Sequence, residues 1–295
     1  MNESFADPDL LWPSWRLVER LPGAAAAAIG GFVAVASIAI ALGLVRRVRL
    51  GLPIVPAADV AVAAWDGLTV LIVAGAAIGC QTAGIMAAHA IVPPTAQSAA
   101  LAITVPELAG TAVGTLAATA VGIAIVLASG GTRRSLGLFS DEPSLDLRLA
   151  IGAVLLITPP LLLLSGALNA IVPYEHPILD LLSRFRDPAT LAAVWLSAVV
   201  AAPIGEEMFF RGVLQGWFES LVARQGGSVR RSAVPVAASA LAFAAAHIGH
   251  GLGWIPLVGF GIAVGFLRSA RGSLLPCIAV HAIFNAISVA IILLG

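Results

Sequence analysis

The sequence predicts an all-α bundle of about eight membrane-spanning helices, and three observations carry that prediction. Hydrophobic residues make up 59% of the 295 and charged residues only 11%, where soluble domains hold about 45–50% and about 25%. Mean hydropathy is +1.00. Finally, the apolar residues fall into runs of about 20 or more, the length a helix needs to cross a hydrocarbon core of about 30 Å. Arginine and proline clusters punctuate those runs.

The spans follow in order as 23–45, 67–92, 104–129, 147–172, 188–222, 232–250, 254–270 and 273–294. Residues 1–20 carry early acids and no basic segment, and the first apolar run is too long for a cleaved secretion signal, so it reads as a retained helix. Pro159 and Pro160 should kink the fourth span, because proline lacks a backbone donor and clashes one turn back. The fifth is long enough to extend beyond the lipid. Between them, the connector 174–188 mixes leucines with charges and reads either as a short interfacial helix or as a solvated loop. Abundant alanine and glycine within the spans point to close helix packing in lipid. No repeat of 20–50 residues, glycine-rich phosphate loop or heptad run stands out. The chain divides into an N-terminal membrane segment of about three spans, 1–146, and a core of about five, 147–295.

Charge sets the direction. All 16 basic residues are arginine, and they alternate between connectors. Arg46, Arg47, Arg49, Arg133, Arg134, Arg148, Arg224, Arg230, Arg231, Arg268 and Arg271 fall on one side; Arg16, Arg20, Arg184 and Arg186 fall on the other. Positive residues favour the cytoplasmic side, which puts both termini outside. The expected setting is multi-pass in a bacterial inner membrane, with lipid as surroundings and no nucleic-acid partner. Cys80 and Cys277 lie in apolar runs and read as small hydrophobes, not as a disulfide or metal pair.

Ionisable groups at bilayer depth cost at least about 2.5–3.5 kcal/mol each, so every one needs a reason. Glu206, Glu207 and Arg211 interrupt the fifth span in GEEMFFRG. His247 ends FAAAH in the sixth, and His281 and Asn285 form HAIFN in the eighth. Pairs four apart share a helix face: Glu207 with Arg211, Phe243 with His247, His281 with Asn285. Glu206 points about 100° from Glu207. Glu207 can therefore be neutralised by Arg211 while Glu206 faces a cavity, where a carboxylate suits acid–base work. A buried Glu–Arg pair alone is more often a clasp than a catalyst. His89, Glu107 and His250 read as interfacial.

These three motifs, in this order on three helices, resemble the signature of the CPBP intramembrane proteases, which include CAAX-processing endopeptidases related to the Ras-converting enzyme and bacterial bacteriocin-processing or immunity relatives. The resemblance covers roughly 147–294. It implies an endopeptidase cutting near the C-terminus of a membrane-associated protein or peptide, with a prenylated CAAX-type tail as one candidate substrate. By that resemblance, Glu206 is the general base, His247 helps hold the attacking water, and His281 and Asn285 stabilise the oxyanion. Glu207 and Arg211 position the helix and tune Glu206.

A metal-independent mechanism with no cofactor is the favoured expectation. Zinc on Glu206, His247 and His281 is the alternative, since one oxygen and two nitrogens make an open set, although no HExxH is present. Two other readings compete: a proton-coupled transporter using the same acids and histidines as a relay, and a non-catalytic peptide-binding immunity protein. One tension remains in the spans themselves. His281 lies about eight residues, ~12 Å, from the inner end of its span and His247 about fifteen, ~22 Å. They can meet only if the sixth span tilts or begins nearer Val236.

Overall fold

The computed structural model describes residues 23–95, 101, 103–172, 177–227, 233–249 and 251–294. Nine helices account for most of them: α1 (Gly23–Arg49), α2 (Gly67–Ile91), α3 (Val105–Ala128), α4 (Pro143–Ile171), α5 (Pro177–Arg184), α6 (Pro188–Arg224), α7 (Val234–Ala245), α8 (Trp254–Arg271) and α9 (Leu275–Leu294). Among the described residues there is no strand. Arg16, Arg20, Arg230, Arg231 and His250 lie outside the described residues.

Among the described residues, six helices are long and apolar enough to cross a membrane: α1 to α4, α6 and α9. The architecture is the expected polytopic helical bundle, with two of the roughly eight expected spans, the sixth and seventh, formed by shorter helices. α7 has 12 residues, about 18 Å at about 1.5 Å each, and stops short of a full crossing. α8 has 18 residues, but its last turn carries Arg268 and Arg271. The connector expected as an interfacial helix or a loop contains α5, which tucks its buried Leu181 and Leu182 against Ala193, Val194 and Val289.

Starts and stops follow local chemistry. Thr104 and Glu107 form a reciprocal capping box at the head of α3, which settles two orphan donors. Asp187 caps α6 by accepting from the backbone N–H of Ala189 and Thr190 at 3.0 and 3.1 Å, with Pro188 in the first turn, where its missing donor costs nothing. α2 and α3 approach through glycine: a Cβ on Gly84 would sit 2.2 Å from the Gly110 carbonyl oxygen.

Two prolines leave carbonyls without a helical donor, and other helices supply one. α4 continues through Pro159 and Pro160. The Leu155 oxygen, which residue 159 would otherwise cap, accepts the Ser37 hydroxyl of α1. α6 absorbs Pro203 by widening into a π-helical turn over Trp195–Ala201, and widens again over Met208–Leu214. Wide turns of this kind cluster at functional sites.

The arginine-bearing connectors meet at one end of the bundle. Arg271 donates from Nε to Asp146 at 2.6 Å, from Nη2 to Glu142 at 2.9 Å and from Nη1 to the Pro56 oxygen at 3.0 Å. Leu274 N–H donates to the Gly137 oxygen, and Arg268 donates to the Ser135 oxygen, each at 2.8 Å. The Trp65 indole donates to the Val213 oxygen at 3.0 Å, bringing the last third of α6 to the same end. Cys277 is fully buried, Cys80 half-buried, and both are free thiols.

Candidate active site

Glu206 lies midway along α6, between its two wide turns. The helix sits close to α3 there: a Cβ on Gly205 would meet Thr115 at 2.4 Å, so only glycine lets the acidic segment approach. Glu206 lines a cavity of about 650 Å³ together with His247, His281 and Asn285. Its Oε2 lies 3.9 Å from Nε2 of His247 and 3.9 Å from Nε2 of His281. That oxygen is buried and has no hydrogen-bond partner in the protein.

The expected convergence of the two histidines is therefore met, and the short α7 explains how. His247 stands just past the helix end, in the turn at 246–249, instead of deep in a full span. Its Nδ1 lies 2.8 Å from the Phe243 carbonyl oxygen. A carbonyl only accepts, so Nδ1 is the donor and Nε2 is the nitrogen turned toward Glu206. Phe243 and His247 share a face as their spacing requires, with ring centroids 4.8 Å apart.

Glu207 points away from Glu206, as the helical offset predicts. It is fully buried, and its Oε2 lies 3.2 Å from Nε of the equally buried Arg211. The approach is too oblique for a hydrogen bond. The guanidinium is held by charge and by the face of Phe243, 4.5 Å from its ring centroid, a cation–π contact. The sequence reading missed the partner on the other oxygen: Glu207 Oε1 accepts from His281 Nδ1 at 2.8 Å. This carboxylate fixes the imidazole so that Nε2 faces Glu206. Phe260 was also missed. It stands edge-on to His281 at 5.1 Å and flanks Phe243 at 5.9 Å, walling the site with an apolar face. Neither contact had a sequence signal, since each crosses between helices.

Asn285 is placed differently from the expectation of a free oxyanion donor. Its Nδ2 donates to the Ala198 oxygen at 2.8 Å, the carbonyl that Pro203 leaves unpaired in the wide turn. One amide proton remains for a ligand. His89 and Glu107 pair with each other at 2.8 Å on α2 and α3, away from the cavity wall, in line with an interfacial role.

The donor set can be tested against its two candidate occupants. Ligands on a tetrahedral zinc lie roughly 3.3 Å apart, given bonds of about 2.0–2.1 Å. Partners of one water in tetrahedral arrangement lie roughly 4.6 Å apart, given hydrogen bonds of about 2.8 Å. The observed 3.9 Å falls between, so small side-chain rotations reach either. As they stand, no three His, Cys, Asp or Glu side chains among the described residues are grouped to hold a metal ion, so zinc on this set would require the imidazoles to move.

Residues 188–287 match the model of the Rce1-like family, described as Type II CAAX prenyl endopeptidase Rce1-like. No curated protein and no solved structure matches the chain. The matched segment runs from the start of α6 past Asn285, so it holds every residue of the three motifs. Residues 188–287, about a third of the chain, are thus similar to the Rce1-like family of type II CAAX prenyl endopeptidases, and the paired acids and facing imidazoles all fall within that segment.

Proposed function

We propose that this protein hydrolyses a peptide bond near the C-terminus of a membrane-associated protein or peptide, a prenylated CAAX-type tail being one candidate, with Glu206 as general base. The observation that carries this reading is the unpartnered Oε2 of Glu206, 3.9 Å from both Nε2 atoms inside a cavity. Three acceptors facing one point cannot all be served by a water, which has two protons. One acceptor must become a donor, and His281 is suited to that role. Glu207, hydrogen-bonded to its Nδ1, holds the ring with Nε2 turned toward Glu206 and the water.

The water then donates to Glu206 and His247. Its oxygen attacks the scissile carbonyl carbon, and its proton passes to Glu206 as the C–O bond forms. The oxyanion accepts from Nε2–H of His281 and from the spare amide proton of Asn285, donors fixed before the reaction. Glu206 returns the proton to the leaving nitrogen as the C–N bond breaks. Arg211 lies against the other oxygen of Glu207 and keeps that side chain turned toward His281. Zinc is the alternative on Glu206, His247 and His281, where it would supply a Lewis acid and an acidified water.

Cleavage of membrane peptides, followed by mass spectrometry with and without the protein, tests the reading. Glu206→Gln should abolish cleavage while the protein remains inserted; undiminished turnover would refute the assignment. Exhaustive chelation with metal content measured decides between the two modes. Activity lost on chelation and restored by zinc would overturn the metal-independent one.

A further inference from the structure

The cavity has a direction. α4 and α9 start at the end where the arginine connectors meet, and α8 finishes there. On α4 and α8 the stretches that line the cavity lie in the half away from that end, and on α9 the wall begins at His281, beyond the first turn, and continues to Ile292 near the far end. On α4 the wall begins at Leu161 and runs through Ser165; on α9 it runs from His281 through Ser288; on α8 it ends at Phe260. Ile178 of α5 joins the wall from the connector on the far side.

Toward the arginine end the cavity has a floor. Ala150, Val154, Val264, Leu267, Cys277 and Val280 form one buried cluster, none more than 5% exposed. Below it, Arg271 and Asp146 are closed into an ion pair with about 1% of each side chain exposed. A peptide cannot enter through packed side chains of this density without unfolding that end.

Charge then supplies the orientation. Among the described residues, Arg46, Arg47, Arg49, Arg133, Arg134, Arg148, Arg224, Arg268 and Arg271 stand at the floored end, against Arg184 and Arg186 at the open one. The excess of arginine marks the cytoplasmic side.

We infer that the active site is loaded from the extracytoplasmic face, and that its substrate is an apolar peptide segment presented from the outer half of the membrane. This rests on the protease reading above and adds the side from which the substrate comes. A tail held at the cytoplasmic surface would meet the floor, not the mouth, so the inference narrows the substrates proposed above and removes a cytoplasmic prenylated tail from them. The wall also fits such a segment: leucine, phenylalanine and valine faces interrupted by Ser165 and Ser288 can take apolar side chains while the base and its imidazoles wait at the bottom.

Cysteine accessibility tests the inference without requiring turnover. In a Cys80→Ala background, with Cys277 fully buried, Ser165→Cys and Ser288→Cys report on the cavity. Gln225→Cys, exposed at the arginine end, reports on the opposite face. A membrane-impermeant maleimide is applied to intact cells and to inverted vesicles, with the variants also carried on Glu206→Gln. The expected result is at least about tenfold faster labelling of both cavity positions from outside, and of position 225 from inside. Cavity labelling from the same face as position 225 overturns the direction and leaves the protease reading intact. Outside labelling together with cleavage lost only in Glu206→Gln supports both. Cavity labelling from neither face overturns both, because the hollow would then admit no water.

Discussion

Two histidine–glutamate pairs in this protein have the same length and different work. His89 and Glu107 meet at 2.8 Å, and so do His281 and Glu207. The first lies between α2 and α3 with 36% and 26% of the side chains exposed; the second is 6% and 0% exposed. Glu107 spends its other oxygen on the backbone N–H and hydroxyl of Thr104, so the pair ties a histidine to a helix cap. Glu207 spends its other oxygen on Arg211, and the free nitrogen of its histidine faces Glu206. The distance within a pair therefore says little about function. What the far side of each imidazole meets decides it.

Breaking the base itself should have the largest effect. Glu206→Gln keeps size and hydrogen bonding but removes basicity, and cleavage by the inserted protein should fall by about 10²–10⁴-fold. The control is Glu107→Gln at the other pair, which should leave turnover within about twofold. Equal losses in both variants would erase the distinction between the pairs.

The next test separates charge from packing within the buried pair. Glu207→Gln can still accept from His281 Nδ1 but removes the charge behind the imidazole, so turnover should drop about 10–100-fold, the usual cost of losing such a supporting carboxylate. It also leaves Arg211 buried and unpaired, which should destabilise the fold by about 3–5 kcal/mol. Adding Arg211→Met should recover most of the thermal stability in detergent and none of the activity. Recovery of both would mean that Glu207 acts only as a clasp.

At the exposed pair the effects should be those of a cap. Thr104→Ala removes the side-chain acceptor at the head of α3 and should cost about 1 kcal/mol of stability. His89→Ala should cost less, since a half-exposed ion pair contributes roughly 0–1 kcal/mol. Neither should change turnover per folded molecule, which a cleavage assay normalised to folded protein would check.

The contrast between the pairs also marks what the sequence could tell. Helix limits were legible because hydropathy and capping act locally: 67–92 against Gly67–Ile91, 104–129 against Val105–Ala128, 254–270 against Trp254–Arg271. That Glu206, His247 and His281 needed a reason was legible, since an ionisable group in lipid is costly and i,i+4 spacing fixes its face, but their convergence was expected only from the family resemblance. Contacts between helices were not. The Glu207–His281 bond, the wall of Phe260 and the Arg271–Asp146–Glu142 cluster depend on tilt and rotation, and helices apolar on nearly every side leave no periodicity that would set either. The shortness of α7 escaped for a related reason. Residues 246–253 are apolar enough to extend a span, although Gly249, Gly251 and Gly253 turn the chain there.

The smallest effect belongs to Asp187, at the head of the helix that carries both acids. The Thr190 hydroxyl and backbone N–H, donating to its carboxylate, hold its pKa below the usual 3.8. A group whose folded pKa is depressed contributes stability that is fully present above its unfolded value, about 3.9, and is lost as pH falls through the lower folded value. Because Asp187 is exposed, solvent screens the effect. Asp187→Asn still caps the helix but cannot titrate. Thermal melts in detergent should show the wild type slightly more stable at neutral pH, with the two curves converging below about pH 3.9. A gap that stayed constant through that range would mean that the cap works by geometry alone, without help from its charge at the positive end of α6.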